Sequence, residues 1–131
     1  AGAKEVFDPA DANTRKALLK ASGGIYAAVD FVGSDKSLNF ATGVLAKGGK
    51  VVVTGLLGGG YATAVAMFPL KAMTIEGTQT GKLAEAREVI DLVRAKKIVS
   101  PPIAERPLPQ ASQTLDDLRA GKIVGRVVLT A

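Results

Sequence analysis

The sequence predicts an α/β chain organised on a parallel sheet, and three observations lead there. Short apolar, β-branched runs at residues 25–32, 51–54 and 73–77 alternate with stretches of helical period. The run Val51-Val52-Val53, placed after Gly48-Gly49, lacks any polar alternation, which is the pattern of a strand covered on both faces in a parallel sheet. The connections are short, as right-handed crossovers within one sheet require. In open parallel sheets ligands lie outside the carboxyl ends of the strands, so the glycine-rich stretch 54–60, directly after the triple valine, is the first candidate site.

Taken in order, Glu5-Val6-Phe7 ahead of Asp8-Pro9 reads as a short strand ending in a turn, because Pro9 has no N–H to give a ladder. Asp11 or Asn13 caps a helix reaching about Ala21, with Ala17, Leu18 and Ala21 on the inner face and Arg15, Lys16 and Lys20 outside. Ser22-Gly23-Gly24 stops it. The buried strand 25–32 is interrupted by Asp30 and closed by Gly33, where the chain approaches a ligand or another backbone. Ser34 caps the next helix, in which Leu38, Ala41 and Leu45 recur at helical spacing and Gly48 supplies a left-handed stop.

Beyond the glycines, residues 62–68 form an edge strand or an interface segment before Pro69, and residues 73–77 a further strand with Thr78-Gln79-Thr80-Gly81 as its loop. Residues 82–95 carry Leu83, Ala86, Ile90 and Val93 as one apolar stripe of an amphipathic helix. Ser100-Pro101-Pro102 breaks the pattern before an edge-type strand at 103–106. Pro109 in the first turn, Ala111, Leu115 and Leu118 inside and Gly121 at the end define the last helix, and residues 125–129 close the chain as a strand.

Composition narrows the chemistry. With 131 residues, 47% hydrophobic and 22% charged, the chain has the balance of about one globular domain. It has no cysteine, which excludes disulfides, thiolate zinc sites and cysteine nucleophiles within it, and no histidine, the commonest general base and metal ligand. The net charge of +5 comes from 17 Lys and Arg spread along the chain, and with only two Tyr and four Phe to stack on, a nucleic-acid partner is not expected. No apolar run approaches a membrane span and Ala1-Gly2-Ala3-Lys4 does not begin a secretory signal, so no membrane association and a cytoplasmic location are expected.

The strict dinucleotide fingerprint, G-x-G-x-x-G between a strand and a helix, is absent, and Gly55-Leu56-Leu57-Gly58-Gly59-Gly60 does not have its spacing. Gly77-Thr78-Gln79-Thr80-Gly81-Lys82 is one residue short of a phosphate loop and continues with Leu83 where a magnesium-holding hydroxyl belongs. Asp30, near a strand end, is either a ribose-binding or catalytic carboxylate or a buried Asp satisfied by backbone amides. Asp116-Asp117 cannot share a metal, since adjacent helical residues diverge. Arg126 is either an ordinary surface arginine or one that reaches a phosphate.

Four segments in register carry a resemblance: residues 29–34 (Val-Asp-Phe-Val-Gly-Ser), 48–55 (Gly-Gly-Lys-Val-Val-Val-Thr-Gly), 74–77 (Thr-Ile-Glu-Gly) and 121–129 (Gly-Lys-Ile-Val-Gly-Arg-Val-Val-Leu). Together they resemble the medium-chain dehydrogenase/reductase family, in particular its zinc-containing alcohol dehydrogenases, along essentially the whole chain. The resemblance implies a partial Rossmann-type sheet, doubly wound and mainly parallel, lacking its first two strands, with a C-terminal helix-strand tail. Residues 1–80 would be the later half of an NAD(P)-binding domain and 81–131 a tail that returns to a catalytic domain. Residues 1–8 resemble the segment after the second strand. The catalytic domain with its zinc ligands, the glycine fingerprint and the selector between NAD and NADP would precede them.

Carried over by position, the family implies the adenosine side of the cofactor against Phe31, Val32 and Gly33 with Ser34 nearby, the nicotinamide side against Thr54, Gly55 and Leu56, and carboxamide contacts at Thr78, Gln79 and Thr80. Arg126 would bind the pyrophosphate, and residues 62–68 would pair subunits into a homo-oligomer. The implied activity is hydride transfer between a small-molecule alcohol or carbonyl substrate and NAD or NADP, with zinc held upstream and no catalytic or metal-binding residue in this chain. A zinc-free quinone or enone reductase of the same family, and a non-catalytic α/β module that self-associates, are the alternatives. In the strand order 3-2-1-4-5-6, Glu5-Val6-Phe7 would have no neighbour and the strand at 25–31 one open edge. That edge is expected to be covered by an N-terminal portion or by another copy.

Overall fold

Three parallel strands organise the first of two units in the computed structural model, which describes residues 3–131 as Ala3–Thr80 and Gly81–Ala131. In Ala3–Thr80 the order is α1 (Thr14–Ser22), β1 (Ile25–Asp30), α2 (Asp35–Val44), β2 (Leu45–Val53), α3 (Met67–Lys71) and β3 (Thr74–Gly77). The sheet order is β1-β2-β3, with Ala28 opposite Val51 and Val51 opposite Ile75. Val51 thus has a strand on either side and is 0% exposed. It centres a small core with Ala41, Leu45 and Met73, against which Ala28, Leu38, Val53 and Met67 pack. The alternation of strand and helix read from the sequence yields the expected parallel, doubly wound arrangement.

Helix α2 begins at Ser34, whose Oγ accepts the Ser37 N–H while Ser37 Oγ accepts the Ser34 N–H, a reciprocal cap of two otherwise orphaned donors. The last turn of α2 has no basic residue of its own, but Arg15 Nη2 donates to the Asn39 carbonyl and Lys71 Nζ to the Thr42 carbonyl, 3.0 and 3.1 Å away. Cations from two other segments therefore complement the negative end of this helix.

Several boundaries differ from the sequence reading. Glu5-Val6-Phe7 is not a strand: a ladder needs a neighbour, and among the described residues β1 pairs only with β2. Asn13 stands at the start of α1 without a side-chain capping bond; Thr14 Oγ1 instead donates to the Asp8 carbonyl, and Ala17 and Ala21 are exposed. Leu45 belongs to β2 and not to the preceding helix, which ends at Val44. Leu45 pairs with Ile25, and the register then shifts so that Ala27 faces Lys50. Residues 62–66 form no strand and lead into the short helix α3, where Pro69 in the first turn gives up no intrahelical bond.

In Gly81–Ala131, α4 (Leu83–Arg94) starts with the Glu85 carboxylate accepting the Lys82 N–H and presents Leu83, Ile90 and Val93 exposed. The strands β4 (Ile103–Pro107) and β5 (Arg126–Thr130) pair in parallel, joined through a 3-10 turn (Leu108–Gln110) and α5 (Ala111–Arg119). Arg106 on β4 ties this crossover together: its Nη1 donates to Asp117 Oδ2 at 2.8 Å and to Thr114 Oγ1 at 3.2 Å. No helix of the described residues is long and apolar enough to cross a membrane.

Candidate functional site

The carboxyl ends of β1, β2 and β3 place Phe31, Val32, Gly33 and Ser34 beside Thr54, Gly55 and Leu56, with Thr78, Gln79 and Thr80 following β3. Every site residue expected from the sequence except Arg126 thus gathers at one end of one sheet. Arg126 opens β5 in Gly81–Ala131, with its N–H donated to the Pro102 carbonyl at 2.9 Å.

The first two of these segments are joined to each other. The ladder between β1 and β2 continues past their ends, as Thr54 N–H and Gly55 N–H donate to the Asp30 carbonyl, Leu57 N–H to Val32 and Gly58 N–H to Gly33, all at 2.9–3.1 Å. Such approach demands glycine on both sides. Gly33 has φ +67°, and a Cβ there would overlap the Gly55 carbonyl; a Cβ on Gly55 would overlap the carbonyl of Val32. The third segment continues the β3 ladder, with Thr78 N–H donated to the Val53 carbonyl at 3.1 Å.

Asp30 lies at the junction, 6% exposed. Its Oδ1 accepts the Val32 and Gly33 N–H groups at 2.9 and 3.0 Å, and Oδ2 accepts the Ser37 hydroxyl at 2.8 Å. Burial pushes this carboxyl upward, but the Gly33 amide, the Ser37 hydroxyl and the Val32 amide outweigh it and leave it below its ordinary value. Of the two readings the sequence leaves open for Asp30, the structure gives the carboxylate satisfied by amides. Ser37, which the sequence reading passed over, completes this network; its signal was its place three residues after the cap Ser34.

Where the first two segments are bonded to each other, their exposed side chains are apolar: Phe31 is 79%, Val32 50% and Leu56 96% exposed. Residues 30–34 and 54–60 hold no Lys or Arg. The rim can therefore cover the face of a flat apolar ring, but does not neutralise a phosphate. A groove of about 540 Å³ runs beside it, lined by Phe31, Val32 and Asp30 with Phe7, Leu18 and Phe40. The recess of about 120 Å³ between Ser34, Leu38 and the glycines 58–60 is too small for a dinucleotide. For zinc the residues do not fit: the sequence has no His or Cys, and among the described residues no three Asp or Glu gather.

A parallel sheet with helical crossovers and glycine-bearing turns at the carboxyl ends of its strands is a Rossmann-type arrangement. The model of the zinc-binding dehydrogenase family matches residues 1–95, and the chain belongs to that family. An alcohol dehydrogenase of Moraxella sp. (strain TAE123) is 30% identical over 128 residues, covering 98% of this chain and 38% of its own length. An NAD-dependent alcohol dehydrogenase of Sulfolobus acidocaldarius is 35% identical over 108 residues, covering 81% and 31%. The crystal structure of the alcohol dehydrogenase from Aeropyrum pernix superposes with a TM-score of 0.88 at 25% identity, over 99% of this chain and 38% of that one. The chain thus spans less than two fifths of the length of these relatives.

Proposed function

We propose that Ala3–Thr80 is the later half of the NAD(P)-binding domain of an alcohol dehydrogenase-like oxidoreductase, and that Gly81–Ala131 is the segment that returns to its catalytic domain. The intact enzyme transfers a hydride between an alcohol or carbonyl substrate and the cofactor, works as a homo-oligomer, and holds its zinc on residues outside this chain. The observation that carries the reading is the welded rim: apolar side chains stand over fixed backbone at the carboxyl ends of parallel strands, as ring binding requires. The names of the relatives support NAD as the cofactor.

In this reading Phe31 and Val32 shield the adenine face, with Gly33 and Ser34 fixing the approach of the chain. Thr54, Gly55 and Leu56 cover the nicotinamide side, and Thr78, Gln79 and Thr80 offer main-chain groups to its carboxamide. Bound nicotinamide supplies the hydride acceptor. The residues of this chain orient it and keep water from one of its faces; they do not take part in bond making.

The test is a titration of the 131-residue chain, isotopically labelled, with NAD, adenosine and nicotinamide mononucleotide, followed through backbone amide resonances. Without a phosphate grip at the rim, the expected dissociation constant for NAD is about 1 mM or weaker. Adenosine is expected to move the resonances of residues 31–34, and nicotinamide mononucleotide those of 54–56 and 78–80. Shifts scattered over the surface, or none at 10-fold higher ligand (about 10 mM), would overturn the reading.

A further inference from the structure

We propose that Asp30 is the positioning residue of the rim: one side chain and its own carbonyl set the spacing between residues 31–34 and residues 54–58. Its part in cofactor binding rests on the function proposed above; its part in holding the two segments does not.

Donors from both segments and from the first turn of α2 converge on this residue. The carboxylate takes two amides of its own segment and the hydroxyl of Ser37, which anchors that first turn. The carbonyl takes the amides of Thr54 and Gly55 from the other segment, and the Thr54 hydroxyl at 3.2 Å. Asp30 is thus bonded to the two segments through different atoms. Folding the Val32 and Gly33 amides back onto the carboxylate turns the chain so that the carbonyls of the same two residues face Leu57 and Gly58, whose amides they accept. If the carboxylate is lost, those carbonyls are no longer aimed, and the cross-segment bonds weaken at a distance from the altered atom. A merely local Asx turn would leave them untouched.

Asparagine at this position keeps an acceptor for the two amides and a polar group for Ser37 Oγ, whereas alanine keeps neither. The carbonyl is present in both.

The experiment compares amide hydrogen exchange and NAD binding in the wild-type chain, Asp30→Ala, Asp30→Asn and Ser37→Ala. Asp30→Ala is expected to speed exchange at least tenfold at Leu57 and Gly58 as well as at Val32 and Gly33, while the Val51 amide in the core keeps its rate. Asp30→Asn should remain within about threefold of wild type at all four amides. Loss confined to Val32 and Gly33 would overturn the proposal. If Asp30→Ala does not fold, Ser37→Ala decides: a rise of a few fold at Leu57 and Gly58 supports the proposal, and no change there overturns it. In the binding arm, NAD affinity lost tenfold in Asp30→Ala and restored in Asp30→Asn supports the positioning role, and equal affinity in all variants overturns it. Absence of NAD binding by the wild-type chain would overturn the proposed function, with the exchange rates alone then deciding the role of Asp30.

Discussion

Replacing Gly33 by alanine brings two separable penalties to one position, and two other glycines measure them apart. At φ +67° an L-residue pays about 1–2 kcal/mol for the left-handed backbone. The added Cβ also overlaps the Gly55 carbonyl, which is fixed because the Gly55 amide donates to Asp30 and the Gly58 amide to Gly33. Forcing such a contact costs about 1–3 kcal/mol more. Gly48 has φ +81°, and a Cβ there would meet no heavy atom within 4 Å, so Gly48→Ala carries the backbone penalty alone. Gly55 is not in the left-handed region but would strike the Val32 carbonyl, so Gly55→Ala carries the overlap alone.

Gly33→Ala is therefore expected to cost about 2–5 kcal/mol, close to the sum of the other two, against about 4–12 kcal/mol for the stability of a unit of this size. Urea unfolding followed by circular dichroism reads this directly: at about 1 kcal/mol per molar urea, the midpoint falls by about 2 M or more. If Gly33→Ala is no worse than Gly48→Ala, the two segments are not in contact and the welded rim is refuted.

Val51→Ala, at the fully buried centre of the sheet, is expected to cost about 2–3 kcal/mol in the same unfolding assay; a change below about 0.5 kcal/mol would place the core elsewhere. Acid should loosen both units. The carboxyls of Asp30 and Asp117 sit below their ordinary 3.8, Asp117 because Arg106 and Gln113 donate to it. Their contributions are thus complete above pH 3.8 and disappear as pH falls through the lower folded values. Amide resonances followed from about pH 6 downward should report this, with Asp30→Asn flattening the response in Ala3–Thr80 and Asp117→Asn that in Gly81–Ala131; an unchanged profile in either variant counts against the corresponding bond network.

The alternation of strands and helices was legible because period and glycine punctuation agree at most elements, most clearly at the triple valine and at Ser34; Gly48, expected to stop α2, instead lies inside β2. Leu45 was not, because it lies four residues after Ala41 and is buried whether helix or strand continues. Only its pairing with Ile25 decides, and that is a contact between distant residues. Glu5-Val6-Phe7 has the local chemistry of a strand, yet a ladder is made by two partners and local chemistry describes one. The rim was legible as a glycine-rich place at a strand end. That Gly33 and Gly55 exist for each other was not, since nothing in either local sequence refers to the other. The same holds for Asp30, whose carboxylate binds residues of its own segment while its carbonyl binds Thr54 and Gly55, more than twenty residues on.

The continuation of the ladder past the last residues of β1 and β2 makes the rim a preformed surface. Residues 31–34 and 54–58 cannot open like a pair of jaws without giving up the bonds from Leu57 and Gly58, each worth about 0.5–1.5 kcal/mol. A guest therefore meets walls whose ordering was completed during folding and does not have to be supplied at binding. Under the function proposed above, a flat guest at this rim would be selected by how well its outline suits walls that are already set.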